Sequence, residues 1–293
     1  MARVMAAVAG GDAERFDGRG VNASYRVGPL SVKVHHPAMS SGLTGDRIRL
    51  VDSALRGAPW YPPVLDLGWH GLALVVVRPF AEGRPADDGR RHVGALAGVL
   101  AGLSERADGL DVAEELIADY ASPWLADTDR ELAQTLTVLG EHTALAEALR
   151  ARLPGLAAAA SRLSGVDASV HHGDLHGRNL VFAAGRCTVI DWDETGFSRR
   201  PADAAKAMWL SCRRARGDFE LDHLAVQRFL RAVPGVDAVD LARLGALWFV
   251  PSRQHVTLLG QRDASLALWY LGWVSRFWSR LGRNLDMLSE LAG

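Results

Sequence analysis

The chain has 293 residues, 48% hydrophobic and 23% charged, with a formal net charge of −1. That length can build one large domain or two lobes with real cores, and the composition is that of a globular protein. A near-neutral chain has no global bias toward nucleic acid or membrane phosphates, and its apolar runs fall far short of a membrane span.

The first ten residues carry one Arg and a brief apolar stretch, with no clear cleavage context, so they make a poor signal peptide. Two cysteines, Cys187 and Cys212, make no disulfide framework. A reducing, cytoplasmic compartment is the expectation.

In chain order, Phe16 to Phe80 reads as β structure with one helix. Asp17 to Asn22 is a glycine-containing loop. Ala23–Val27 alternates, Gly28-Pro29 turns, and Leu30–Val34 alternates again, which predicts a hairpin. Thr44–Leu55 has helical spacing and is ended by Pro59, Pro62 and Pro63. Leu72–Val77 is a continuous apolar run, as in a fully buried strand. Arg78–Pro85 is the best linker, dividing residues 1–80 from 81–293.

Beyond the linker, helical spacing takes over in Val93, Leu96, Leu100 and Leu103, then in Leu132, Leu136 and Leu139. Asp127–Leu163 reads as two helices broken near Pro154-Gly155. Leu180–Phe182 and Cys187–Ile190 read as short strands around Ala184-Gly185-Arg186. Everything after Ala202 reads as helix.

Of the 33 basic residues only two are lysines, Lys33 and Lys206. Where Arg is the default cation, a Lys inside the strand Leu30–Val34 stands out. A compact ammonium can sit as a point charge on a phosphate in a narrow cleft, although an exposed strand Lys is the plainer reading.

The most informative stretch is His172-Gly173-Asp174-Leu175-His176-Gly177-Arg178-Asn179, followed by Val189-Ile190-Asp191-Trp192-Asp193. Folding the intervening hairpin antiparallel places Asn179 opposite Ile190 and Asp191. Two oxygen ligands then meet although they lie 12 residues apart. Mg2+ needs a few protein oxygens beside waters and phosphates. Asp174 is left to face an acceptor hydroxyl, so the set suits phosphoryl transfer. Singly, these residues are turn chemistry; jointly, they are hard to obtain from turn propensity. A zinc site on His171, His172 and His176 would need a helix, which Gly173 and Gly177 oppose. His172 is expected to brace the loop through its ring.

On these residues the chain resembles the aminoglycoside phosphotransferase and choline kinase superfamily, relatives of the protein kinases. The His-Gly-Asp loop with its Asn, the Ile190-Asp191-Trp192 motif and Pro201-Ala202-Asp203 carry the match. The resemblance implies an α+β, two-lobed protein-kinase-like fold, with a small antiparallel N-terminal sheet and a mostly helical C-terminal lobe. It implies ATP and Mg2+ as cofactors. Asp174 would be the catalytic base or hydroxyl-orienting residue, and Asn179 and Asp191 would bind the metal. Lys33 would contact phosphates, and Gly20, Asn22 and Ser24 would belong to the nucleotide loop and second strand. The backbone of Pro79 to Ala81 would meet adenine. Asp193 is either a further metal or substrate group or a turn cap. The family's lysine pairs with a helix Glu; here the aligned acid is Asp46, with Asp52 as the other candidate.

The resemblance implies a small hydroxylated molecule as acceptor, such as an antibiotic, amino sugar or amino alcohol. It implies no nucleic acid or membrane partner, and a monomer or homodimer. A non-catalytic nucleotide-binding relative is the alternative. Glu114, Glu115 and Asp119 read as a solvated acidic face. Residues 200–293 hold 13 Lys plus Arg against 9 Asp plus Glu, unlike a wall for a polycation. Trp269, Trp273 and Phe277 at helical spacing read first as core and second as an aromatic wall for a substrate.

Overall fold

The computed structural model describes residues 1–16, 20–86, 88–106, 110, 112–117, 128–139, 142–165 and 167–292. A short helix, α1 (Ala2–Gly10), precedes a five-stranded antiparallel sheet. Its strands are β1 (Glu14–Phe16), β2 (Ala23–Val27), β3 (Leu30–Val34), β4 (Asp66–His70) and β5 (Ala73–Pro79), in the order β1-β2-β3-β5-β4. The β2–β3 hairpin turns at Gly28-Pro29 as the alternation requires. Its register sets Ser24 opposite Lys33, and Lys33 opposite Val76 of β5. Within β5, Leu74 to Val77 are buried; Leu72 lies in the preceding turn, 79% exposed.

Helix α2 (Gly42–Leu55) starts two residues earlier than its spacing predicts. It turns Gly45, Ile48, Val51, Asp52 and Leu55 inward. Ile48 joins Leu74 and Val76 in a small core under the sheet. Val51 and Leu55 belong instead to the large core of the helical part.

After Pro79 the chain crosses over. Strand β6 (Arg84–Pro85) pairs with β8 (Leu180–Ala183), which pairs with β9 (Arg186–Val189). A second small sheet pairs β7 (Ser169–His171) with β10 (Gly196–Ser198). The helices are α3 (Val93–Glu105), α4 (Thr128–Leu139), α5 (Thr143–Arg162), α6 (Ala202–Ser211), α7 (His223–Ala232), α8 (Ala238–Ala246), α9 (Arg253–Arg262) and α10 (Ala264–Ala292). Among the described residues, no helix is long and apolar enough to cross a membrane.

One sequence expectation is corrected. The break between α4 and α5 falls before Thr143, and Pro154 lies inside α5. A mid-helix proline removes a hydrogen bond to residue i−4. Here Leu149, Leu153 and Leu156 are buried on the same face, and α5 packs on α8. That packing carries the helix through the proline.

Trp192 joins the two parts. It is buried, donates from Nε1 to Val189 O at 2.8 Å and stacks on Trp60 with centroids 6.0 Å apart. Tyr61 meets its face edge-on at 4.9 Å, and His172 lies 4.4 Å away. The Trp60 carbonyl also accepts from Val189 N at 2.8 Å. The segment after α2 is thereby tied to the hairpin that carries Asp191. Trp192→Ala is expected to cost about 3–5 kcal/mol, the usual range for emptying a buried Trp site. Urea unfolding at neutral pH measures this. A loss under about 1 kcal/mol, within the range of surface substitutions, would remove Trp192 from this role.

Candidate active site

The catalytic-type loop hangs from one buried carboxylate. Asp203, at the start of α6, accepts from His172 N at 2.6 Å and Gly173 N at 2.9 Å. Gly173 has φ +84°, and a Cβ there would lie 2.3 Å from Glu194 O, so only glycine fits. His172 is fully buried. Burial lowers its pKa, so the ring is neutral. Its Nδ1 accepts from Asp174 N at 3.1 Å, which leaves the proton on Nε2, 2.8 Å from Ile190 O. His172 therefore braces the loop and is not a metal ligand.

The hairpin closes with Leu180 opposite Val189, and Ile190 N donates to Asn179 O at 2.8 Å. Asn179 Nδ2 donates to Asp174 O at 2.8 Å. Its amide nitrogen is thus committed to the loop, and its Oδ1 is the atom left for a cation. Asp191 follows in a left-handed conformation, φ 66°. Asn179 and Asp191 offer hard oxygen donors of the kind Mg2+ takes with phosphates and water, so the donor set fits that ion.

Lys33 reaches this end from the sheet. Its Nζ lies 2.8 Å from Asp191 Oδ1 and 2.6 Å from Asp193 Oδ2. Burial alone would lower the Lys33 pKa; the charges of Asp193 and Asp191 outweigh it and raise it. Burial pushes the Asp191 carboxyl up, the Asp193 charge adds to this, and Lys33 offsets only part. Asp193, although buried, is held below its ordinary value by Lys33 and His35. Asn22 supports it, donating from Nδ2 at 3.0 Å while its Oδ1 accepts from His36 N.

Neither acid expected on α2 reaches Lys33. Asp46 is on the outer face of the helix, paired with Arg49 at 2.9 Å. Asp52 is inward but engaged by Arg56, by the Tyr61 hydroxyl at 3.2 Å and by Val64 N at 2.7 Å. The lysine's partners come instead from the Asp191–Asp193 turn. Of the other expected nucleotide-side residues, Ser24 stands opposite Lys33, and the Gly20 carbonyl accepts from Arg262. Gly18 lies outside the described residues. At the linker, Phe80 N is used by Pro29 O at 2.8 Å, between Pro79 and Ala81.

The largest surprise is Lys206 of α6, which has no exposed surface. Its Nζ lies 2.8 Å from Asp174 Oδ1, 2.7 Å from Gly173 O and 3.3 Å from Glu194 Oε2. It also sits 3.5 Å from the Trp248 ring centroid. Burial would raise the Asp174 carboxyl; the Lys206 ammonium and then His176 overcome it and hold the carboxyl far below its usual range. Two sequence signals could have found Lys206. It is one of two lysines, and it stands one helical turn after Asp203.

Around Lys206 the surface is aromatic. Trp248 meets Trp273 edge-on at 5.8 Å, Trp269 stacks on Trp273 at 6.2 Å, and Tyr270 lies 4.8 Å from His255. Burial and then the Glu194 charge push the Tyr270 hydroxyl up. Phe277 is core, stacked on Phe249 at 3.8 Å. The stripe read from the sequence therefore grades from core at Phe277 to an exposed edge at Trp269. Glu114 is engaged by Arg199 at 2.6 Å; Asp119 lies outside the described residues.

The phosphotransferase enzyme family model (APH) matches residues 23–240. No curated protein matches the chain by sequence. Among solved structures, a GDP complex of a mutant aminoglycoside 2'-phosphotransferase-IIIa shares the fold with TM-score 0.66 at 16% identity, covering 93% of both chains. Amicoumacin kinase hAmiN, in complex with AMP-PNP, Ca2+ and Ami, gives TM-score 0.64 at 14% identity, covering 93% of this chain and 88% of that one. A choline kinase from Cryptosporidium parvum gives 0.59 at 11%, covering 96% and 89%. The two-lobed, protein-kinase-like fold of aminoglycoside and choline kinases is thus shared over at least 93% of the chain, and the chain belongs to the phosphotransferase enzyme family.

Proposed function

We propose that this phosphotransferase moves the γ-phosphoryl group of ATP, with Mg2+, to a hydroxyl of a small molecule. An antibiotic or an amino sugar or amino alcohol is the favoured acceptor. The observation that carries the reading is the gathering of Asp174, Asn179, Asp191 and Lys33 at one hairpin end. Residues 1–80 serve as the nucleotide lobe and 81–293 as the catalytic and acceptor lobe. The two free cysteines suit a reducing cytoplasm where ATP is supplied.

In this reading, the acceptor oxygen forms a bond to the γ-phosphorus as the bond to the ADP oxygen breaks. Asp174 accepts a hydrogen bond from the attacking hydroxyl and aims it. Lys206 keeps Asp174 ionised, so Asp174 acts first as an orienting acceptor and takes the proton late, as a loose transition state allows. Asn179 and Asp191 would hold Mg2+, which neutralises phosphate charge when bound. Lys33 offers its ammonium to the phosphates in place of a share of the Asp191 and Asp193 charge. Catalysis is then mostly positioning and charge neutralisation. Tyr270 and Trp248 near Lys206 favour an acceptor with a flat part facing them, with any ammonium group of the acceptor held away from Lys206.

Supplying ATP, Mg2+ and a panel of hydroxylated antibiotics and amino alcohols tests the proposal, with phosphorylated product read by mass spectrometry. With a confirmed substrate, Asp174→Asn should lower kcat by about 10²–10⁴ while calorimetric ATP binding persists. Intact turnover would refute the role of Asp174; nucleotide binding with no transfer to any acceptor would favour the non-catalytic alternative.

Lys206 has its own test. Lys206→Met leaves Asp174 buried without its cation and should cost about 3–5 kcal/mol. In the wild type the depressed Asp174 pKa stabilises the fold above the unfolded value of about 4, and that contribution fades as pH falls through the folded value. In the variant the Asp174 pKa rises, so the sign reverses and stability increases as pH drops through the raised value. Chemical unfolding of both proteins from pH 7 to 5 measures this. Parallel pH profiles would show that Lys206 does not set the ionisation of Asp174.

A further inference from the structure

A cavity of about 440 Å³ lies among Pro85, Ala86, Asp88, Gly89 and Arg90, the loop residues Gly177 and Arg178, and the end of α6 with Arg213–Arg216. None of the residues assigned above to phosphoryl transfer lines it. Five arginines do: Arg90, Arg178, Arg213, Arg214 and Arg216, against Asp88 as the acid in the lining among the described residues. Arg90 is compensated by Asp88 at 2.9 Å and Asp222 at 3.4 Å, and Arg214 by Glu220 at 2.8 Å. Among the described residues, no acidic side chain lies in ion-pair range of Arg213 or Arg216. Arg213 is half-buried, 5.7 Å from the Phe219 ring. Burial, with the neighbouring Arg216 and Arg178 charges, pushes its pKa down to about 10.

Guanidinium groups gathered in a half-closed space repel one another, and partial burial weakens the solvent screening that would relieve them. An anion relieves both penalties. The forked geometry of guanidinium favours phosphate oxygens, and the volume suits a small molecule. We propose that this cavity binds a small phosphate-bearing anion, at a site separate from the phosphoryl-transfer centre. The site abuts the loop that carries Asp174. Gly177 N donates to Ser211 Oγ at 3.0 Å, and a Cβ on Gly177 would lie 2.7 Å from Gly89 Cα. An occupant held by Arg213 and Arg216 therefore lies against the loop at Gly177, three residues beyond Asp174.

Inorganic pyrophosphate is the probe, titrated by calorimetry without divalent ions and at constant ionic strength. The wild type should bind it, and its Tm should rise. Lys33→Met, which weakens phosphate capture at the proposed nucleotide site, should keep this binding. Arg213→Gln with Arg216→Gln should lose at least about tenfold in affinity, as expected for missing charge-assisted hydrogen bonds. The exposed Arg216→Gln alone, which does not disturb the core, should lose affinity in the same direction. Removing mutually repelling charges should leave the Tm without anion unchanged or raised. Three results would each overturn the proposal: no binding at millimolar pyrophosphate, unchanged affinity in the arginine variants, or binding abolished by Lys33→Met. The readout is binding alone, so a failed transfer assay leaves this test intact.

Discussion

Four carboxylates crowd one cleft: Asp174, Asp191, Asp193 and Glu194. Burial penalises the charge on each of them. Such a set holds together only if cations enter the same space, because like charges at short range in a poorly screened site cannot all remain ionised. The chain places its only two lysines there, one from each part of the fold. Lys33 comes from the central region of the sheet, where pairing with β2 and β5 fixes its direction. Lys206 comes from a helix whose residues are nearly all buried. The division of labour is visible in the carboxyls. Asp174 and Asp193 are held down, while Asp191 and Glu194 are pushed up.

That electrostatic arrangement rests on neutral, buried scaffolding. Burial keeps the His172 ring uncharged, and only a neutral ring can accept from Asp174 N while donating to Ile190 O. A charged imidazolium would lose the acceptor and free the residue that precedes Leu175. Asp203 performs the complementary task with two backbone N–H groups, a strong use of an ionised acceptor. Trp192 packs against His172 on one side and against Trp60 and Tyr61 on others. The position of Asp191 is thereby linked to the large hydrophobic core rather than to loop chemistry alone.

How much of this was legible beforehand varied with the range of the interactions. The β2–β3 hairpin and the Asn179–Asp191 closure depend on alternation and turn residues, which are local. The helix break was misplaced because a proline penalty is local, whereas the packing of Leu149, Leu153 and Leu156 that offsets it is not. The partner of Lys33 could not be read from α2 for the same reason. Spacing along α2 identifies acids but not their facing. Asp46 turns outward, while Asp193 arrives from 160 residues away. Lys206 was visible as a compositional oddity one helical turn after Asp203, yet neither signal says that it lies under Asp174.

The regional charge count illustrates the same limit. Residues 200–293 hold an excess of basic groups, which from sequence argues against a wall built for a polycation. In the fold, Arg213, Arg214 and Arg216 gather in a separate cavity with Arg90 and Arg178. Removing these three from the count leaves 10 basic against 9 acidic residues, close to balance. The surface beside Asp174 is of another character, with Trp248, Tyr270 and Glu194 around a buried ammonium. Lys206 already occupies the Trp248 face and shares Glu194, so an acceptor cation approaching that spot would meet a like charge. A cationic acceptor would then have to place its ammonium away from Lys206, toward the more exposed part of the helix that carries Trp269. Its hydroxyl would still have to reach Asp174, which requires an acceptor long enough to separate its ammonium from the reacting oxygen.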